Sequence, residues 1–170
     1  MLAVKGKIYS LDELLFGATD KLKNNFYVEK CAELEKNNRK LNFAIIYLAP
    51  GDYHWYHAAT NFITNYRRHI VGYLAPVKPS YVESHKNVFK ENEWVTLFGD
   101  WAEGYFSMTF VGALNVGSMT INFDSDLVTN KSKNIRSPFY FDKNYLKDNG
   151  NHSVQSVIEQ SNHVLNFEKE

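Results

Sequence analysis

The run NEWVTLFGDWAEGYFSMTFVGA, residues 92–113, decides the fold class. NEWVTLFG is rich in β-branched and aromatic residues and reads as a strand. Asp100 and Trp101 then lead through Gly104 into YFSMTFVGA, and the break between the two apolar runs reads as a hairpin turn. Downstream, VGSMTINFD places Val116, Ser118, Thr120 and Asn122 on one side and Met119, Ile121 and Phe123 on the other, the two-residue period of a half-buried strand. Upstream, residues 62–75 alternate imperfectly, and Gly72 is expected to mark a bulge or bend in another strand.

Further upstream lies NFAIIYLAPGDYHWYH, residues 42–57. FAIIYL is apolar and β-branched enough to predict a buried strand, stopped where Pro50 lacks a ladder donor and Gly51 permits a sharp turn. His54 and His57 follow that turn. SLDE, starting at Ser10, forms a capping box for a short helix over 11–17 closed by Gly17. A second helix is expected within 20–38, carrying Leu22, Phe26, Cys31 and Leu34 and ending at Asn37 and Asn38. After Asp126 the chain turns polar around a small aromatic island, Phe139 to Phe141. A flexible segment over about 127–160 and a last edge strand over 163–167 are expected there.

Lys and Arg total 19, as do Asp and Glu, so no global charge draws the protein to nucleic acid, and no nucleic-acid partner is expected. At 44% hydrophobic and 15% aromatic residues the chain is composed to fold, and its 170 residues suit one domain. With Cys31 the single cysteine, no intrachain disulfide and no thiolate metal cluster can form. No apolar run of a membrane-spanning length occurs, and the N-terminus lacks the continuous apolar stretch of a secretory signal.

His54 and His57 share a side if the turn continues helically and lie apart if the backbone extends. Structural packing, proton transfer and metal holding are all open to such a pair; His69, His85 and Asp52 are conceivable added ligands, but no spacing unites them. YRRHIVG gives two readings. Arg67 and Arg68 grip a phosphate with His69 assisting, or they form a solvated strand edge with an ordinary ion pair; on a strand the adjacent arginines face opposite ways. VGALNVGSMT has neither the P-loop lysine nor a dinucleotide fingerprint, so Gly112, Asn115, Gly117 and Ser118 read as a tight β turn.

YLAPGDYHWYH with YRRHIVG, then NEWVTLFGDWAEGYFSMTFVGALNVGS, then INFDSDLVTN, resemble phosphatidylserine decarboxylase of the eukaryotic mitochondrial type, in the right order. KGKIYSLDELLFG resembles the stretch before that family's variable insertion. The resemblance implies an α+β fold, a predominantly antiparallel β core with short N-terminal helices, residues 1–170 forming part of the family's domain. It implies a proenzyme that cuts itself at a glycine-serine step into a β subunit and a short α subunit headed by a pyruvoyl group. That cofactor condenses with the amine of phosphatidylserine and accepts the electron pair released with carbon dioxide, yielding phosphatidylethanolamine. Implied partners are the lipid, a separate α-subunit segment and a peripheral membrane surface, with a homodimer as a further arrangement; the implied location is the mitochondrial inner membrane.

Residue by residue, the resemblance gives His57 the self-cleavage role and His54 a place in the substrate site or in proton transfer. Arg67, Arg68 and His69 match the family's basic strand, a candidate substrate-binding set. Gly112, Asn115, Gly117 and Ser118 match a structural turn, and no metal is implied. The family's orienting aspartate and its GST-like processing stretch have no counterpart in this sequence, so no evident motif supplies the pyruvoyl group. Beside the histidines, Trp55 replaces a basic or small residue, His57-Ala58-Ala59 replaces an HSP, and Trp94 replaces an arginine. These departures keep two expectations open: a β-subunit-like part of an enzyme, inactive by itself, and a noncatalytic lipid-binding or regulatory paralogue.

Overall fold

The computed structural model describes residues 2–4, 7–9, 25–131, 139–146, 156–158 and 163–168. Its centre is the predicted hairpin: β5 (Trp94–Trp101) pairs antiparallel with β6 (Gly104–Val111) in unbroken register from Trp94↔Val111 to Trp101↔Gly104. β4 (Phe62–Val71) lies on the other side of β5 and is flanked in turn by β8 (Phe139–Asn144) and β9 (Ser156–Ile158), making a five-stranded antiparallel sheet. A second antiparallel sheet runs β3 (Trp55–His57), β10 (His163–Glu168), β7 (Ser118–Ile121), and β1 (Leu2–Val4) pairs separately with β2 (Lys7–Tyr9). The architecture is the expected α+β one with an antiparallel core.

Strand alternation sorts the large sheet into two faces. Val95, Leu97, Met108 and Phe110 turn toward Met119 and Ile121 of the smaller sheet and form the main core with Ala58, Phe62 and Leu127. Each fully buried aliphatic side chain contributes about 1.5–3 kcal/mol, so this cluster is a principal source of stability. On the opposite face Phe98 and Tyr105 are covered by Tyr66, Leu41 and Leu34, the last carried by helix α1 (Asn25–Lys36). Two short helices, α2 (Pro79–Ser84) and α3 (Val88–Glu91), close one end through Val82, Val88 and Phe89.

Several expectations change. FAIIYL forms no strand: residues 42–49 carry no regular secondary structure, with Phe43 55% and Ile46 65% exposed. β propensity describes a side chain that suits a pleated surface, and it supplies no neighbouring strand to pair with. The bulge lies at Asn65, where the β4–β5 register shifts between Thr64 and Tyr66, not at Gly72. Gly99 opposite makes it possible, because a Cβ there would stand 1.9 Å from the Ile63 carbonyl oxygen. The aromatic island is strand β8, and the closing strand β10 lies between two others, not at an edge. α1 falls within the second expected helix, whereas the expected helix over 11–17 lies outside the described residues.

Candidate active site

β3 continues the turn after Pro50 as extended chain, and three residues of extended backbone put His54 and His57 on opposite sides. His54 is buried. Its Nδ1–H donates to the Asp52 carbonyl oxygen at 2.6 Å, which fixes the tautomer and places the neutral ring's lone pair on Nε2. The ring lines an apolar cavity of about 440 Å³ bounded by residues 41–48, Tyr56 and β6. Asp52 itself accepts the Ala49 N–H through Oδ2 at 2.7 Å, so the turn holding His54 is internally braced.

His57 is exposed, its Nε2 lying 2.7 Å from the Tyr53 hydroxyl. It lines a second cavity of about 460 Å³ with Tyr53, Trp55, Tyr56 and Ile46. Ile46, Leu48, Tyr56 and Ala59 border both cavities, so the histidines flank one apolar partition from its two sides.

The basic strand forms the expected ion pairs with its two arginines facing opposite ways, but on an inner strand and not at a solvated edge. β4 is internal to the sheet, and Arg67 and Arg68 are both buried. Arg67 Nε donates to Asp124 Oδ2 at 2.7 Å on the core side, while Arg68 grips Asp142 with Nε and Nη2 at 2.8 and 2.7 Å on the other face, 4.8 Å from the Tyr140 ring centre. His69 Nε2 stands 2.7 Å from Glu93 Oε1, and both Glu93 oxygens accept the Asn130 N–H at 3.1 and 3.0 Å. A solvated edge is thus replaced by two buried pairs, Arg67–Asp124 and His69–Glu93, and by Arg68–Asp142, in which the arginine is buried and the acid reaches the surface, because an inner strand must satisfy its polar side chains within the protein.

Asp124 is the busiest acid. Burial would raise its pKa, but hydrogen bonds from Lys143 at 2.8 Å and Tyr145 at 2.5 Å, together with Arg67, hold it below the ordinary 3.8. Burial and the Asp124 carboxylate push the Tyr145 hydroxyl well above its usual range. Sequence reasoning did not single out Asp124, Glu93 or Tyr53. An acid placed in a β-rich run opposite a basic strand was the available signal for the first two.

The turn residues are brought together. Ala113 and Val116 exchange backbone hydrogen bonds across Leu114 and Asn115, the latter at φ 63°. Gly112 and Gly117 both face Leu74, where a Cβ would come within 2.7 and 2.4 Å of its methyl carbons. Ser118 opens β7. Asn92 ties this corner together: its amide bonds both backbone groups of Ala75 and the Gly112 carbonyl. Trp94 is buried, and its Nε1 has no hydrogen-bond partner among the described residues. His85 lies apart on α2's end, stacked on Tyr81, and among the described residues no three His, Cys, Asp or Glu side chains converge to hold a metal.

The antiparallel α+β domain thus sets one buried and one exposed imidazole on a shared apolar partition. The family model for phosphatidylserine decarboxylase matches residues 1–156, and the chain belongs to that family. The mitochondrial phosphatidylserine decarboxylase proenzyme 1 of Candida albicans is 51% identical over 92 residues, 54% of this chain and 16% of that protein. The mitochondrial proenzyme of Pongo abelii is 38% identical over 149 residues, 80% of this chain and 35% of its own length. Proenzyme 1 of Saccharomyces cerevisiae is 45% identical over 106 residues, covering 62% and 21%. The chain therefore spans about a sixth to a third of these relatives.

Proposed function

We propose that the chain is the β-subunit-like part of a phosphatidylserine decarboxylase, contributing to conversion of phosphatidylserine to phosphatidylethanolamine when joined by a second polypeptide that carries a pyruvoyl group. The observation that carries the reading is His54: buried, held in one tautomer by the Asp52 carbonyl, and set on an apolar cavity. The lining fits such a group, since among the described residues it offers an imidazole and tyrosines and no carboxylate. When present, the pyruvoyl carbonyl supplies the electron sink.

The chain's own residues do the rest. The Asp52 carbonyl keeps the proton on Nδ1 of His54, so Nε2 is the atom that takes up and returns a proton in the cavity. The apolar walls exclude water and accommodate lipid. His57 serves self-cleavage in a complete proenzyme, with Tyr53 orienting its ring. Arg67, Arg68 and His69 hold the sheet together through their carboxylate partners instead of contacting substrate. Work in the mitochondrion is supported by the names of the relatives, and peripheral attachment to its inner membrane is what the family resemblance implies; among the described residues no helix is long and apolar enough to cross a membrane.

A second reading, a noncatalytic lipid-binding paralogue, is favoured by Trp94, whose buried indole N–H, without a partner among the described residues, stands where the resemblance places an arginine. Intact-mass analysis of the protein from its native source separates the two. A companion chain whose N-terminus is a pyruvoyl group supports the enzyme, and a homogeneous chain that copurifies with lipid and no companion supports the paralogue.

A further inference from the structure

The smaller sheet gives His57 a second histidine as its cross-strand partner. β10 pairs with β3 as Asn166↔Trp55 and Leu165↔Tyr56, and in that register Val164 would stand opposite His57. The ladder shifts by one residue at this point, so that His163 takes the position instead. Such an irregularity interrupts the ladder and re-aims a side chain, and it recurs beside functional sites. On its other flank β10 runs in unbroken register with β7 from Leu165↔Ile121 to Glu168↔Ser118, so the strand that carries His163 is fixed from both sides. Residues directly opposite on antiparallel strands carry their Cβ atoms about 4.5–5.5 Å apart. Two imidazoles at that spacing can share one metal ion, to which each nitrogen bonds at about 2.0–2.1 Å.

We propose that the register pair His57↔His163 is a site for one divalent transition-metal ion of the Zn²⁺ kind, with an imidazole from each of two neighbouring strands as ligands and water completing the shell. His54 cannot be the second ligand, because it is buried on the other side of the apolar partition. His57 is exposed and shares its cavity of about 460 Å³ with Asp52, the one carboxylate there among the described residues, so an entering cation meets an open path and a negative charge. Imidazole nitrogen suits Zn²⁺, Ni²⁺ and Cu²⁺, whereas Mg²⁺ and Ca²⁺ take oxygen ligands. The Tyr53 hydroxyl, 2.7 Å from His57 Nε2, is the outer partner that steers the ligand ring. Two protein ligands make an exchangeable site; a structural zinc centre takes four. Binding of the ion is measured without turnover, so its outcome leaves the decarboxylase reading untouched.

The test is a Zn²⁺ titration of the full chain, followed by the imidazole NMR signals, with Mg²⁺ as the control cation. The proposal expects the His57 and His163 signals to move together to a single saturation point and Mg²⁺ to move neither. His57→Ala and His163→Ala should each weaken Zn²⁺ binding by about tenfold or more. His85→Ala, which alters an exposed histidine at the end of α2, should leave the affinity unchanged. The joint movement is read on the unaltered chain, so the test holds even where a variant fails to fold. Four results overturn the proposal: no response up to about 1 mM Zn²⁺, movement of one of the two histidines without the other, an equal response to Mg²⁺, or an equal loss of affinity in His85→Ala.

Discussion

The Tyr53 hydroxyl lies 2.7 Å from Nε2 of His57, with the two rings parallel to within 4° and their centres 5.7 Å apart. With the phenol donating, Nε2 is the acceptor and the imidazole proton sits on Nδ1. Tyr53→Phe keeps the ring and removes the donor. The neutral His57 ring is then expected to shift toward the Nε2–H tautomer, read from its ring nitrogen chemical shifts. Unchanged shifts would show that Tyr53 does not set the tautomer.

His57→Ala, grafted into a complete proenzyme of the family, is expected to block self-cleavage with little change in folding, since His57 is exposed at the end of a three-residue strand. Gel mobility of the uncut chain and its circular dichroism read the two effects separately. Normal cleavage removes the assigned role.

Asp124→Asn takes away the charge that Arg67 and Lys143 both face. Leaving Arg67 buried without its counter-ion costs about 3 kcal/mol at neutral pH, measured from the urea midpoint. Because the folded carboxyl is held below 3.8, its stabilisation is complete above that value and is lost as pH falls through the lower folded pKa. The difference between wild type and variant should accordingly shrink in acid, and a difference that grows in acid would contradict the ion-pair account.

Gly99→Ala brings a methyl against backbone atoms of Ile63 at 1.9 and 2.8 Å, whereas a Cβ on Gly51 meets nothing within 4 Å. Backbone cannot rotate aside as a side chain does, so Gly99→Ala is expected to cost about 3 kcal/mol or more and Gly51→Ala less than about 1. Thermal unfolding of both variants checks the contrast.

The hairpin was legible because Val95, Leu97, Met108 and Phe110 combine β propensity with burial, and Gly104, at φ 111°, marks the turn where it occurs. Local signals failed where the outcome depended on a distant partner. FAIIYL has the composition of a buried strand, yet among the described residues no strand pairs with it. Phe139, Tyr140 and Phe141 sit in polar surroundings, yet β4 offers them an edge. For the site, the motif located His54 and His57, and strand periodicity gave opposite directions for Arg67 and Arg68. It did not give Asp124, Asp142 or Glu93, which lie 57, 74 and 24 positions away from the residues they pair with.

Carbon dioxide release from carboxyl-labelled phosphatidylserine tests the central claim most directly. Residues 1–170 alone should release none above background. Addition of a pyruvoyl-bearing second polypeptide should start release, and His54→Ala in that complex should slow it by about a hundredfold or more, the share that a positioned acid-base group supplies. Release by the chain alone, or a reconstituted rate indifferent to His54→Ala, would contradict the account.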